Sequence, residues 1–458
     1  MARKKFDYDL IVIGSGAGGS VAAHIVAGAG KRVAMVESDT LGGETPNWGG
    51  IPIRALLHAA EVYDSAKHGG HLGIRSGAMG YNYPSIRAWK DLVVKRTGSA
   101  SSKSYHESGG VTVIEGAAHF ISPNEITVNR RHLTAENFLI ATGSKWYMPA
   151  IDGLDRVGYL TARTALDVIR PPKSVFIVGA SSTGCEIATA FSIFGSKVYI
   201  ADISTRILPS EDSEVGELLQ RSFEKRRGMT VLTSSKVLRV AKEGVVKRVT
   251  FERGGREQSV KVDEVLLAAG KSPYTDVGLE NAGVEYSAKG IAVNDQLQTS
   301  VKHIFAAGDV IGGHMLTHVS TYESRVAAHN MLHRDKVRAD YSAVPRVTFT
   351  QPEVASVGYS EDYCTRRDWR IKKAVAPLSV IARANTSNVQ DGFVKVITDA
   401  KSGKLLGATV VSPSAGEIIH ELTLAIQHDM NASDIAGTPH AFGTWSEAVR
   451  VACGKVTK

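Results

Sequence analysis

The stretch YDLIVIGSGAGGSVAAHIVAGAGKRVAMVES, residues 8–38, restricts the folds open to this chain more than any other. Its unbroken apolar run predicts a buried strand, followed by a glycine turn, a helix of small residues and a second strand ending at Glu37. Gly14, Gly16 and Gly19 form GxGxxG. The first glycine allows the tight turn, the second lets the backbone approach a pyrophosphate, and the third lets helix and strand pack closely, with the phosphates at the helix N-terminus. Glu37 follows Gly14 by 23 residues, placed to accept ribose hydroxyls. A glycine-rich turn alone says little, but strand, turn, helix, strand and acid in this order predict a dinucleotide site.

The same pattern returns in KSVFIVGASSTGCEIATAFSIFGSKVYIADIS, residues 173–204, with Gly179, Ser181 and Gly184 in the glycine places and Asp202 again 23 residues on. The chain therefore reads as α/β with two Rossmann-like dinucleotide-binding domains. At Ser181 a Cβ crowds the pyrophosphate, while the hydroxyl offers a hydrogen bond in partial compensation. Asp202 suits a ribose 2′-hydroxyl and repels a 2′-phosphate, which favours NADH; NADPH is the less favoured alternative, kept open by Arg206 alone. The GKS of AAGKSP (268–273) is not a P-loop, because the glycine that motif requires falls at Val265.

After about residue 340 the texture changes to alternating strands and amphipathic helices, as in GFVKVITDAKSGKLLGATVVSP and AGEIIHELTLAIQHDM, which predicts a third, α+β domain. At 458 residues the chain has room for two or three domains. The net charge of +8 comes from 54 Lys and Arg scattered among 46 Asp and Glu. Runs such as EKRR (224–227) and NRRH (129–132) lack interleaved aromatics, so the charge reads as a solvated basic surface that attracts anionic cofactors, with no nucleic-acid partner. Three cysteines without CxxC or metal-ligand spacing fit free thiols in a reducing cytoplasm. No span reaches the length of a membrane helix, and the first apolar run ends in a glycine turn rather than a cleavage site. The pair in HGGH, His68 and His71, reads as a surface loop rather than a metal site.

Taken together, GSGAGG at 14, IATGS at 140, GASSTGCE at 179, IFAAGDVIGG at 304, TQPEVASVG at 350 and GTWSEAV at 443 resemble the FAD-dependent pyridine nucleotide–disulfide oxidoreductases, the family of dihydrolipoamide dehydrogenase, mercuric reductase and the soluble transhydrogenase. The resemblance runs nearly the length of the chain. It implies an FAD domain at 1–145 and 271–340, split by an NAD domain at 146–270, and a C-terminal α+β dimerisation domain at 341–458 that makes a homodimer. FAD would lie on Gly14, Gly16, Gly19, Glu37, Gly43, Thr142 and Gly143, with Asp309 beside the ribityl chain. NADH would lie on Gly179, Ser181, Gly184, Asp202 and Gly270.

Against that family LGGETPNWGGIPIRALLHA, residues 41–59, departs where the chemistry is done. Members with a redox disulfide carry GGxCxxxxC followed by IP and a lysine; here Thr45 and Gly50 hold the cysteine places and Arg54 the lysine place. A dithiol relay needs two thiols. The family's HPTxSE supplies a histidine from the partner subunit, and in PHAFGTWSEAV Phe442 takes that place, Gly443 replaces proline and Glu447 remains. Cys453, Cys185 and Cys364 read as packing residues, and His440 as a surface or packing residue, with substitution for the missing histidine the less favoured alternative. By resemblance Glu186 pairs with Arg54 near the flavin, and the guanidinium stays charged and bidentate where a lysine would not.

Hydride transfer from NADH to flavin needs stacked geometry and no protein acid or base. The expected activity is therefore an NADH:acceptor oxidoreductase passing electrons directly to a small non-disulfide acceptor such as a quinone, dye, metal or oxygen, with Arg54, Glu186, Thr45 and Gly50 at the reacting centre. Trp48 is either a stacking surface for a flat acceptor or core filler. The alternatives are a soluble transhydrogenase and an FAD-binding protein whose catalysis has lapsed.

Overall fold

The structure is a computed structural model and describes residues 6–75 and 77–457. It divides into two compact units: residues 1–55, 85–147 and 270–340 form the first, and residues 56–84, 148–269 and 341–458 the second.

In the first unit the apolar run becomes strand Tyr8–Ile13, with Leu10, Ile11, Val12 and Ile13 all buried. It lies at the centre of a sheet, parallel to Val33–Glu37 on one side and to Arg131–Ile140 on the other; Val111–Glu115 extends one edge. Strand Arg131–Ile140 is long enough to serve two ladders. Its last residues pair in parallel with Ile304–Ala306, and its first residues pair antiparallel with Glu125–Val128, which in turn pairs with Ala118–Ser122. Apolar clusters cover both faces: one contains Phe120, Phe138 and Ile304, the other Met35, Leu139 and Phe305. Burial on both faces explains why the central strand shows no polar alternation. Helix Ala17–Gly28 packs across the sheet, and its Ala22 N–H donates to the Ser324 hydroxyl at 2.8 Å on helix Thr317–Leu332.

The second unit repeats the plan. Strands Thr230–Leu232, Lys197–Ala201, Ser174–Val178, Glu264–Leu267 and Leu160–Thr161 form a parallel sheet in that order, with Ser174–Val178 central. This is the doubly wound order, in which the first strand of the repeat lies inside and the chain then adds strands to both sides. A three-stranded antiparallel sheet, Ser235–Glu243, Val246–Arg253 and Arg256–Val262, belongs to the same unit. The C-terminal stretch is α+β as its texture predicts: a five-stranded antiparallel sheet in which hairpin Phe393–Asp399 and Leu405–Ser412 is central, with helices Ala415–Gln427 and Glu447–Val456. The basic run 224–227 closes helix Ser213–Arg227, where Arg227 makes a bidentate pair with Asp64 at 2.6 and 2.8 Å. His68 ends helix Gly50–His68 and binds the Asp64 carbonyl at 3.0 Å, while His71 binds the carbonyl of His68 at 2.8 Å. No helix among the described residues is long and apolar enough to cross a membrane.

Candidate functional site

The first fingerprint turn is built on Gly14, whose φ of +104° is one that side chains rarely adopt. A Cβ there would lie 2.2 Å from the carbonyl oxygen of Ala141. Gly19 is needed for a different reason: its Cβ would sit 2.0 Å from the Gly14 carbonyl oxygen, so helix and strand approach closely only with hydrogen at that position. Gly16 lines the cavity itself, and a Cβ there would make only an ordinary contact, with Gly43 Cα at 4.0 Å. That is the cradle a pyrophosphate requires.

Glu37 does more than its spacing announces. Ser15 donates both its N–H (2.9 Å) and its hydroxyl (2.6 Å) to Oε2, while the N–H groups of Ser38 and Asp39 donate to Oε1 at 2.8 and 2.9 Å. The Ser15 hydroxyl oxygen then accepts from the Gly42 N–H at 3.0 Å. The acid therefore stitches its own turn and, through a buried serine absent from the motif, ties that turn to the departing stretch at residues 41–59.

These groups open onto a cavity of about 340 Å³, within the roughly 300–1,000 Å³ of small-molecule sites. Gly14, Gly16, Glu37, Gly43, Thr142, Gly143 and Asp309 line it, and so do Thr45, Trp48 and Gly50. The Thr142 hydroxyl donates to the Tyr274 carbonyl at 2.6 Å, and the Gly143 carbonyl accepts from the Tyr274 N–H at 3.0 Å, which returns the chain to the cavity wall. Asp309 accepts from the Ser144 hydroxyl at 2.6 Å. The Thr45 hydroxyl shares a 2.8 Å hydrogen bond with that of Thr317, and a Cβ on Gly50 would meet nothing within 4 Å. Arg54 is exposed on helix Gly50–His68.

Of the charged members of this cavity that sequence reasoning missed, two pair with each other. The Lys271 ammonium donates to Glu44 Oε1 at 2.6 Å and stands 3.9 Å from Asp309 Oδ2 and 5.2 Å from the centre of the Trp146 ring. Lys271 belongs to the GKS rejected as a P-loop, and Glu44 is the unassigned residue between Gly43 and Thr45. A short ribbon, Ser144–Trp146 against Lys271–Pro273, holds the lysine in place.

The second fingerprint has the same construction. Gly179 has φ +106° and a Cβ there would lie 2.3 Å from the Ala268 carbonyl oxygen; one on Gly184 would lie 2.1 Å from the Gly179 carbonyl oxygen. Asp202 stitches this turn as Glu37 does the first, accepting from the Ala180 N–H at 2.7 Å and the Ser204 N–H at 2.8 Å. One detail differs from expectation: the Ser181 hydroxyl donates to the Ala268 carbonyl at 3.3 Å, so the main chain takes the donor that was to compensate at a pyrophosphate. Arg206 is also committed, its guanidinium donating to Asp362 at 2.9 Å and to the Glu211 carbonyl at 3.3 Å. Glu186 is buried and accepts from the Phe349 N–H at 2.9 Å. Gly270 lies in the first unit, where its carbonyl accepts from the Tyr147 N–H.

Near the C-terminus, His440 is held between Glu421 at 2.8 Å and the Thr438 carbonyl at 2.9 Å. Glu447 accepts from the Gly443 N–H at 2.8 Å and so closes the loop that leaves Phe442 85% exposed. All three cysteines are fully buried. Burial pushes each thiol up, Cys453 to about 12 with help from Glu421, and Cys185 well above its ordinary value with help from Glu186 and Asp202.

Two dinucleotide folds of one construction followed by an antiparallel α+β domain define a two-nucleotide oxidoreductase class. The chain belongs to the pyridine nucleotide-disulphide oxidoreductase family: residues 8–324 match the model of that name, and residues 344–453 match the dimerisation domain of the same family. The dihydrolipoyl dehydrogenase of Bacillus subtilis (strain 168) is 36% identical, covering 97% of this chain and 96% of that one. A mercuric reductase of Bacillus cereus is 32% identical over 98% of this chain and 71% of its own length. Among solved structures, the Cu(II) complex of the HOCl-induced flavoprotein disulfide reductase RclA from Escherichia coli superposes with a TM-score of 0.88 at 26% identity, covering 98% of this chain and 99% of that one. The family is FAD-dependent and works with NAD(P)H.

Proposed function

We propose that this chain is an FAD-dependent NADH:acceptor oxidoreductase that passes electrons directly to a non-disulfide acceptor, such as a quinone, dye, metal ion or oxygen. One observation carries the reading: the cysteine places hold a threonine whose hydroxyl is bonded to Thr317 and a glycine with open space where a side chain would be. A disulfide relay needs a thiolate to attack and a second thiol to resolve. The relatives are named dihydrolipoyl dehydrogenase, mercuric reductase and flavoprotein disulfide reductase, and the departure at Thr45 and Gly50 sets this chain apart from a dithiol relay.

The glycine cradle at Gly14 and Gly16, with the Glu37 turn behind it and Asp309 across the cavity, fits the diphosphate and polyol of FAD. When bound, FAD accepts a hydride equivalent from reduced nicotinamide and releases electrons to a second substrate. The second fingerprint would orient the nicotinamide nucleotide. Asp202 would face its ribose, and Arg206 is held by Asp362, which favours NADH and opposes transhydrogenation with NADP. Arg54 would act as a positioning residue, its guanidinium countering negative charge arising at the reacting centre. The division into FAD, NAD and interface domains, and a homodimer formed through residues 341–458, complete the reading.

Anaerobic titration with NADH tests it. The expected result is loss of flavin absorbance at one NADH per flavin, no long-wavelength thiolate charge-transfer band, slower bleaching by NADPH, and prompt reoxidation by a quinone such as menadione. Uptake of two NADH per flavin with a charge-transfer band would return the chain to the disulfide reductases. Bleaching that neither menadione nor ferricyanide reverses would remove direct transfer.

A further inference from the structure

We propose that Glu44 and Lys271 form a charge clasp that sets how tightly the protein retains its flavin dinucleotide, an inference that rests on the reading of the cavity as the FAD site. The cavity wall carries five carboxylates, those of Glu37, Asp39, Glu44, Asp276 and Asp309, and among the described residues that line it a single cation, Lys271. This balance is unfavourable for a ligand with a doubly negative diphosphate. Glu37 is satisfied by its turn, and Asp309 by Ser144. Glu44 has its ion pair with Lys271, at 2.6 Å and with only 30% and 20% of the two side chains exposed.

An ammonium has three donor positions and no fixed plane, so Lys271 can face a diphosphate without leaving Glu44 entirely. While Glu44 is charged, however, it opposes the ligand twice. It repels the diphosphate directly, and it holds the one cation that would neutralise it. Removing the carboxylate charge therefore acts in a direction opposite to removing the ammonium. A brace that merely fixed the loop at residues 42–50 would make both changes act alike.

The test is the rate at which the purified holoprotein releases FAD on dilution, followed by the fluorescence of the freed flavin, together with the equilibrium affinity of the reconstituted protein. Glu44→Gln should slow release and tighten binding by roughly tenfold. Lys271→Met should speed release and weaken binding by roughly 10- to 100-fold, the usual weight of a charge-assisted hydrogen bond. Glu44→Thr, which keeps a short polar side chain, repeats the test should the glutamine variant fail to fold. If removing the Glu44 charge weakens FAD binding or leaves it unchanged while the wild-type protein holds FAD, the clasp is overturned and the FAD site stands. A wild-type protein that takes up no FAD would overturn both.

Discussion

Alanine at Gly14 is expected to cost the purified protein its flavin, while alanine at Gly179 should leave the flavin in place but no longer bleached by NADH. Each glycine occupies φ near +105°, where a side chain costs about 1–3 kcal/mol. Each Cβ would also fall within 2.3 Å of a carbonyl oxygen, of Ala141 in the first case and of Ala268 in the second, so the backbone of the turn must move. Those two carbonyls lie on the neighbouring strand ends, and the movement spoils the cradle. Together the strain and displacement amount to about 3 kcal/mol or more, a loss above 100-fold in affinity for whichever nucleotide the turn holds. Gly16→Ala separates binding from folding. Gly16 has ordinary φ and lines the cavity, and its Cβ would make only an ordinary contact, with Gly43 Cα at 4.0 Å, so alanine narrows the cradle without an internal collision. Flavin content, far-ultraviolet circular dichroism and NADH bleaching distinguish the cases. Stoichiometric flavin in a folded Gly14→Ala protein would move the flavin away from the first fingerprint, and normal bleaching of Gly179→Ala would move NADH away from the second.

The largest effect on stability is expected at Lys395. Its side chain is 1% exposed, and its ammonium lies 3.0 Å from Asp212, 3.0 Å from Glu214 and 2.7 Å from Glu361. Asp212 precedes helix Ser213–Arg227 but does not cap it with its side chain; its carboxylate turns instead to Lys395 and to the Glu361 N–H at 3.0 Å. One lysine in the C-terminal sheet thus gathers three acids, two of them at the start of a helix in the nucleotide-binding part of the same unit. Lys395→Met leaves those acids together without their cation and should destabilise the protein by about 3–5 kcal/mol at pH 7, read from the denaturant midpoint. The sign of the pH dependence follows. In the wild type, Glu214 and Glu361 are held below their ordinary carboxylate range with Lys395 contributing hydrogen bonds and charge, while burial raises Asp212. The stability from the two lowered carboxylates is present above their unfolded values and is lost as pH falls. Removing the lysine takes from each acid a charge that favoured its ionised form, Glu361 alone keeping a second lysine, Lys373, so the variant's deficit should shrink as pH falls from 7 toward 5. A deficit below about 1 kcal/mol, or one that grows on acidification, would remove Lys395 from this role.

Both fingerprints were legible because their constraints are local: Gly14 and Gly19, and Gly179 and Gly184, collide with atoms of the same turn or the adjoining strand, and no other residue type avoids this. The alternation in residues 393–412 likewise appears directly as the central hairpin of the last sheet. What stayed hidden depends on pairs remote in sequence. Thr45 meets Thr317, Glu44 meets Lys271, and Lys395 meets Asp212, contacts that no periodicity encodes. Lys271 shows how excluding a motif removes a relevant residue: GKS is not a P-loop, yet its lysine is a cation lining the cavity of the first fingerprint. Ser181 shows the converse, since its hydroxyl was assigned to a ligand and is used by Ala268.

The three buried thiols also bear on how such a protein fails. With each held above its ordinary pKa and closed off from solvent, none presents the thiolate on which alkylating reagents and peroxides act. Under the proposed direct transfer from flavin to acceptor, no sulfur would stand in the path to be capped, overoxidised or trapped as a mixed disulfide, and the stresses that silence thiol-dependent reductases would leave this protein working for as long as it stays folded and keeps its flavin.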